Sequence, residues 1–361
     1  MKGFRALTAG AAAAALTTAV LLGGAEPPKT TEPPENGGLT AVQGLKVGSY
    51  TLSERPTGCT VVLAEAGAVA GVDQRGGAPG TRELALLNPI NTVQKANAIV
   101  LAGGSAFGLD AASGVMRYLD ERHVGYDTGV AKVPIIPAAI LFDLNVGGNP
   151  SIRPTADCGY KAAAAATAGP VQEGNVGAGA GATIGKLGGP GRAMKAGLGS
   201  AAITLPNGLT VAALVAVNAV GDIIDPRTGQ VIAGVRTPDG LHLADARKLI
   251  ESGELLHPRA RAGQNTTLGI VATNAALTKD QVTKMAEMAS DGYARAISPV
   301  HSPADGDTVF GLATGTHAGE ANLLVIGSLA ADAMARAIVR AAWQARSIPG
   351  YPAARDLGKA Q

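Results

Sequence analysis

"RAGQNTTLGIVATN" (261–274) sets an amide and two hydroxyls, Asn265, Thr266 and Thr267, directly before an aliphatic, β-branched run. That run reads as a buried strand, because such residues fit a pleated surface packed on its neighbours. Polar groups at the mouth of a core strand call for a reason, and three stand open. The step is a turn. Or it is a glycosylation acceptor, since Asn265-Thr266-Thr267 fits N-x-[ST]. Or the Asn265–Thr266 bond is built to break. A threonine hydroxyl is a poor nucleophile until a base takes its proton. The α-amine of the same residue, with an ordinary pKa of about 7.7–8.0, is such a base once the preceding peptide bond is cut. On this reading the hydroxyl attacks the Asn265 carbonyl, water opens the resulting ester, and a rigid strand presents the new N-terminal Thr266 to substrates.

Such a site also needs donors for an oxyanion and charges to orient the amine. "PADGDTVFG" (303–311) offers Asp305 and Asp307 two residues apart before a strand, on one face if the segment is extended; taken alone, D-G-D is a plain turn. Asn218 lies inside the apolar strand "ALVAVNAVG", where an amide must be hydrogen-bonded or costly. Lys186 brings chemical reach to the glycine-dense loop 174–200. That loop is not a Walker phosphate loop: Ala180 stands where the first glycine is required and Leu187 where the magnesium-binding hydroxyl is. "GGSAFG" (103–108) misses a nucleophile elbow, which requires glycine where Phe107 stands, so Ser105 reads as a helix N-cap. The five histidines show neither i,i+4 pairing nor H-E-x-x-H, so a metal site built from them is unsupported, and the self-cleaving threonine reading implies neither a metal nor an organic cofactor.

Outward from these motifs the chain alternates strands and helices. Strand-like runs fall in 59–77, 96–102, 201–206, 209–224 and 308–315, with Pro206-Asn207-Gly208 as a turn. Pro137 interrupts 133–144, so that strand is expected at an edge or bulge. Helices are expected after Ser105, over 156–168, over 277–297 with a Thr278/Gln281 capping box, and over 322–345. Residues 226–264 look irregular and exposed, the kind of segment that tolerates a cut. Apolar helices flanking strands indicate a layered fold.

Hydrophobic residues make up 46% of the 361 and charged residues 16%, enough for a large core. The net charge of +2 is scattered, which argues against a nucleic-acid surface. With 50 glycines and 3% aromatics, the core must be packed from small aliphatics. Cys59 and Cys158 are expected as buried, unpaired thiols, though they could pair once. Residues 1–25 have the layout of a signal peptide: basic start, short apolar middle, small residues at the cut. Export is therefore expected, with anchoring by residues 6–25 as the rival. A Pro-rich linker (26–38), a single domain (39–345) and a C-terminal tail (346–361) complete the organisation.

Together, "GGSAFGLDAA", "GATIGK", "VAVNAVGDI", "NTTLGIVATNA" and "DGDTVFGLATG", in this order, resemble the L-aminopeptidase/D-esterase and β-aminopeptidase family. Within it they most resemble the 6-aminohexanoate-oligomer (nylon-oligomer) hydrolases. The resemblance spans roughly residues 39–345. It implies an α+β, four-layer αββα sandwich that cleaves itself before a Ser or Thr into two associated chains, and a homo-oligomer such as a tetramer of processed heterodimers. By position, Thr266 after Asn265 matches the nucleophile and Asn218 the oxyanion and positioning amide. Lys186 matches the site lysine, and Asp305 and Asp307 the paired carboxylates. One departure is Phe142 in "ILFDLNVGG", where some aminopeptidases carry Tyr. The expected function is hydrolysis of peptides or small linear amides. Acyl transfer of the ornithine acetyltransferase type and a non-catalytic exported binding protein are the alternatives.

Overall fold

In this computed structural model the residues described, apart from Met1 and Gly3, are 35–254 and 264–357; the leader and most of the linker lie outside them. Eight strands carry the architecture: β1 (Lys46–Thr51), β2 (Gly58–Gln74), β3 (Lys95–Ala102), β4 (Ala138–Ile140), β5 (Leu198–Thr204), β6 (Thr210–Asn218), β7 (Thr266–Thr273) and β8 (Thr308–Ala313). They join in the order β5-β6-β7-β8-β2-β3-β4, with β1 on the other side of β2 and Thr81–Arg82 beyond β4. All pairings in β5-β6-β7 are antiparallel, whereas β7 and β8 are parallel and are connected through a helix.

β2 is the pivot. Its first part pairs with β1 and β3, its last part with β8, and the register shifts between Leu63 and Ala68. Such an irregularity bends a strand, so one strand serves two sheet layers where the sequence suggested two short runs. Side-chain alternation then sorts the apolar residues into three cores. Cys59, Val61, Leu63 and Val100 pack under helices α1 (Ala111–Asp120) and α2 (Ala156–Ala164). Val62, Ile99, Leu101 and Leu141 meet Leu214, Leu268, Ile270 and Leu312 between the layers. Val211, Val215, Val271 and Val309 pack under α3 (Lys279–Ala296) and α4 (Leu323–Gln344) through Met285, Ala289, Met334 and Ile338. Three interfaces stack four layers, helix on sheet on sheet on helix, which is the expected αββα sandwich.

Glycine lets these layers approach. A Cβ on Gly114 of α1 would lie 1.7 Å from the Ala156 carbonyl oxygen, and one on Gly159 of α2 would lie 1.8 Å from that of Ala111. Any larger residue there would push the two helices apart. At the start of α3 the Thr278/Gln281 capping box forms as read from the sequence. No helix among the described residues is long and apolar enough to cross a membrane.

Several expectations are corrected. Cys59 and Cys158 are bonded to each other, because β2 and α2 pack with these Cα atoms 6.3 Å apart. Ser105 does not cap a helix; it has φ 55° and opens the 3-10 turn Ser105–Asp110, and α1 starts only afterwards. β4 begins just past Pro137 and is not at the sheet's edge, since it pairs with both β3 and Thr81–Arg82. Within 226–264, Val231–Ala233 forms a strand and Ala246–Glu251 a helix; 255–263 lie outside the described residues. After α4 the chain folds back, burying Ala353, and the Arg355 guanidinium reaches the Trp343 carbonyl at 2.9 Å.

Candidate active site

β6 ends where β7 begins, and the register sets Asn218 opposite Thr266. Each continues an inward-facing series: Ala212, Leu214 and Ala216 on β6, and Leu268, Ile270 and Ala272 on β7. Period-two alternation therefore turns both polar side chains into the space between the sheets, at one end of the central core. Asn218, Thr266, Asn265, Asp305 and Asp307 are each at most 2% exposed, and Lys186 is buried as well. The structure thus gathers all six residues singled out in the sequence.

Lys186 reaches this point because Gly185, with φ 69°, turns the chain after the short strand Thr183–Ile184. Its Nζ donates to Asn218 Oδ1 at 2.7 Å, to the Asn218 carbonyl at 2.9 Å and to the Gln264 carbonyl at 3.2 Å. Burial pushes the amine down to about 7, and the Asp305 and Asp143 carboxylates only partly oppose it. Asn218 Oδ1 also accepts from the Thr183 amide at 3.0 Å, and its Nδ2 donates to the Phe142 carbonyl at 3.0 Å. That carbonyl comes from the opposite sheet layer, just past β4.

The segment carrying Phe142 is pinned by a fully buried ion pair. Arg55 meets Asp143 at 2.9 Å, and Asp143 also accepts from the Thr57 hydroxyl at 2.6 Å and the Gly104 amide at 2.9 Å. A Cβ on Gly103 would lie 2.1 Å from Asp143 Oδ2, so the Gly103-Gly104 pair serves this contact and not a nucleophile elbow. A second buried lysine, Lys195, donates to the carbonyls of Gly179 and Ala182 at 2.9 and 3.0 Å and ties down the glycine loop behind Lys186.

Two features at Thr266 matter most. Its hydroxyl hydrogen-bonds the carbonyl oxygen of Asn265, the residue before it. The same oxygen accepts the Gly306 N–H at 2.9 Å, because Asn265 and Asp305 form a parallel bridge just ahead of β7 and β8. The Asn265–Thr266 carbonyl is thus polarised by a backbone donor and lies beside a hydroxyl. Gly306 was not singled out in the sequence, yet in the intact chain it supplies the donor at the site expected of Asn218.

The two aspartates divide the surroundings between them. Asp305 accepts from the Val220 amide at 3.2 Å and from the Ser302 amide at 3.2 Å, and the Ser302 hydroxyl bonds the same oxygen. Asp307 accepts from the Thr267 amide at 2.7 Å, which fixes the start of β7, and from His301 through its backbone N at 3.1 Å and Nδ1 at 2.9 Å. Burial and the neighbouring Asp307 raise the Asp305 carboxyl above the usual range, with Ser302, Val220 and Lys186 pulling the other way. His301, with φ 54° and its ring stacked on Tyr293, is a further residue that sequence reasoning did not single out for the site. Among the described residues no group of three or more His, Cys, Asp or Glu could hold a metal ion.

Comparison with known proteins fits this geometry. The model of peptidase family S58 matches residues 37–355. The chain belongs to peptidase family S58. An uncharacterized aminopeptidase of Mycobacterium tuberculosis is 43% identical over 345 residues, covering 88% of this chain and 97% of the relative. A 6-aminohexanoate-oligomer endohydrolase of Kocuria sp. is 32% identical over 311 residues, 83% of this chain and 84% of the relative. Among solved structures, the L-aminopeptidase D-Ala-esterase/amidase of Ochrobactrum anthropi, described as a variant of the Ntn hydrolase fold, superposes with TM-score 0.63 at 20% identity. The match covers 90% of this chain and 91% of that one. A β-aminopeptidase of Burkholderia sp. gives TM-score 0.61 at 24% identity over 87% and 88% of the two chains. The S58 protein described here is a hydrolase of amide bonds, and the expected resemblance holds.

Proposed function

We propose that this S58 hydrolase activates itself by cutting Asn265–Thr266 and then uses Thr266 as an N-terminal nucleophile on peptides or small linear amides. The observation that carries the reading is the pairing at one carbonyl: the Thr266 hydroxyl beside the Asn265 oxygen, and the Gly306 N–H 2.9 Å from that oxygen. The hydroxyl attacks the Asn265 carbon, the peptide nitrogen leaves as the Thr266 amine, and water opens the ester. Lys186, with its amine held near 7, is the buried base available in the cluster at neutral pH. After scission the new α-amine assists proton transfer, with Asp305 and Asp307 balancing its charge. Asn218 orients Lys186 and stabilises the oxyanion of the substrate.

Export is part of the proposal, supported by the signal-like residues 1–25 and the Cys59–Cys158 bond, which favours an oxidising compartment. Intact-mass analysis tests the whole reading at once. The expected masses are a leader-free chain ending at Asn265 and a partner beginning Thr266-Thr267-Leu268-Gly269. Thr266→Ala should remain one inactive chain, and normal two-chain processing of that variant overturns the assignment.

A further inference from the structure

Self-cleavage at Thr266 passes through an ester in which Asn265 is the acyl group. Turnover of a substrate passes through an ester on the same hydroxyl oxygen. The two intermediates are of one kind: the hydroxyl oxygen bonds the acyl carbon, the C–N bond breaks, and the amine departs with the hydroxyl's proton. Water then opens the ester, giving the acid and restoring the alcohol. The surroundings that hold Asn265 in the intact chain are therefore a template for the acyl group that the mature enzyme receives.

Those surroundings are specific. The Asn265 carbonyl sits on the Gly306 N–H at 2.9 Å. The residue is 1% exposed, so its side chain is enclosed. Its Nδ2 donates to the Ala304 carbonyl at 3.3 Å, and the Gln264 carbonyl just before it accepts from Lys186 at 3.2 Å. The Ala304 oxygen can only accept, and the next residues carry the Asp305 and Asp307 carboxylates. A neutral N–H donor suits this place. An anionic side chain is repelled, and an aliphatic one of equal size leaves the carbonyl without its donor.

We infer that the acyl subsite of the mature enzyme is the place Asn265 occupies in the precursor, and that it selects asparaginyl amides over aspartyl and aliphatic ones. This rests on Thr266 being the nucleophile and adds the substrate class. Scission makes Asn265 a chain end, and turnover requires that end to leave the subsite.

The test uses processed wild-type enzyme and the p-nitroanilides of asparagine, aspartate, leucine and alanine, each with a free and with an acetylated amine. Within whichever series is cleaved, asparaginyl should give the highest kcat/KM, leucyl about tenfold lower or less, and aspartyl lower again. Self-processing of Asn265→Leu and Asn265→Asp, followed on denaturing gels, should slow in the same order. Leucyl or alanyl anilides equal to or better than asparaginyl overturn the subsite while leaving the nucleophile intact. Trapping substrate on enzyme by acid quench separates the two: a mass adduct on the chain beginning at Thr266 upholds the nucleophile, and its absence with every substrate overturns both.

Discussion

Replacing Gly306 with alanine disturbs the backbone donor without removing any side chain from the site. An alanine Cβ at 306 would lie 2.7 Å from Thr266 Oγ1, 2.7 Å from the Ala78 carbonyl oxygen and 3.2 Å from Pro79 Cα. Backbone on one side and the nucleophile on the other leave no cheap way out, so relief requires a shift of about 0.7–1.3 Å, the difference from ordinary contact. The Gly306 N–H now stands 2.9 Å from the Asn265 oxygen, and a shift of that size takes it out of hydrogen-bonding range. Removing one preorganised donor from a developing oxyanion costs about 2.7–4 kcal/mol, or about 10²–10³ in rate. Gly306→Ala should therefore fold, keep Thr266, and process itself about two to three orders of magnitude more slowly. The assay is pulse-labelled cell-free synthesis, with precursor and product bands followed on a denaturing gel. Circular dichroism and thermal unfolding of the purified variant check that it is native. A folded Gly306→Ala protein that cleaves within a few-fold of wild type refutes the role of this donor.

Three further outcomes follow from the charges and the cross-link. Burial sets the Lys186 amine near 7, so its neutral fraction, and with it the self-cleavage rate, should climb between about pH 6 and 8; the rate should be low and pH-independent in Lys186→Met. The unfolded chain keeps that proton up to about 10.5, so this group makes stability rise with pH from about 7 to about 10.5; burial holds the Lys195 amine near 7 as well, so denaturant midpoints should show the trend in wild type and a shallower one in Lys186→Met. The Cys59–Cys158 bond closes a separation of 99 residues. Its reduction, or Cys158→Ala, should cost about 2–4 kcal/mol and lower the melting temperature, and an unchanged melting curve under reductant speaks against the bond.

What could be read in the sequence was local and periodic. β7, the capping box of α3 and the apolar length of α4 follow from spacing within a few residues, and they stand where spacing puts them. What could not be read depends on contacts between distant segments or on backbone atoms. Nothing in a string of side chains marks the Gly306 N–H as a donor, because every non-proline residue has one. Nothing marks His301 as a partner of Asp307 and Tyr293, since the ring reaches them only through a left-handed backbone. The disulfide escaped for the same reason: it reports how α2 lies on β2, which neither segment encodes alone.

The site is nonetheless anchored in the readable part. Thr266 and Asn218 are active-site candidates because they extend, by one step of two, the inward faces of β7 and β6. A slip of one residue in either strand would turn its polar end toward the helices and send Leu268 or Ala216 after it, exposing the central core to a helix-facing register. The apolar packing that stabilises the sandwich therefore also fixes the direction of the nucleophile, and the chemistry needs no separate device to aim it. That coupling explains why the hydroxyl can sit beside its own peptide carbonyl before any cut: the strand is held by residues 268–273, on the far side of the bond from Asn265, and scission removes nothing from the core that positions Thr266.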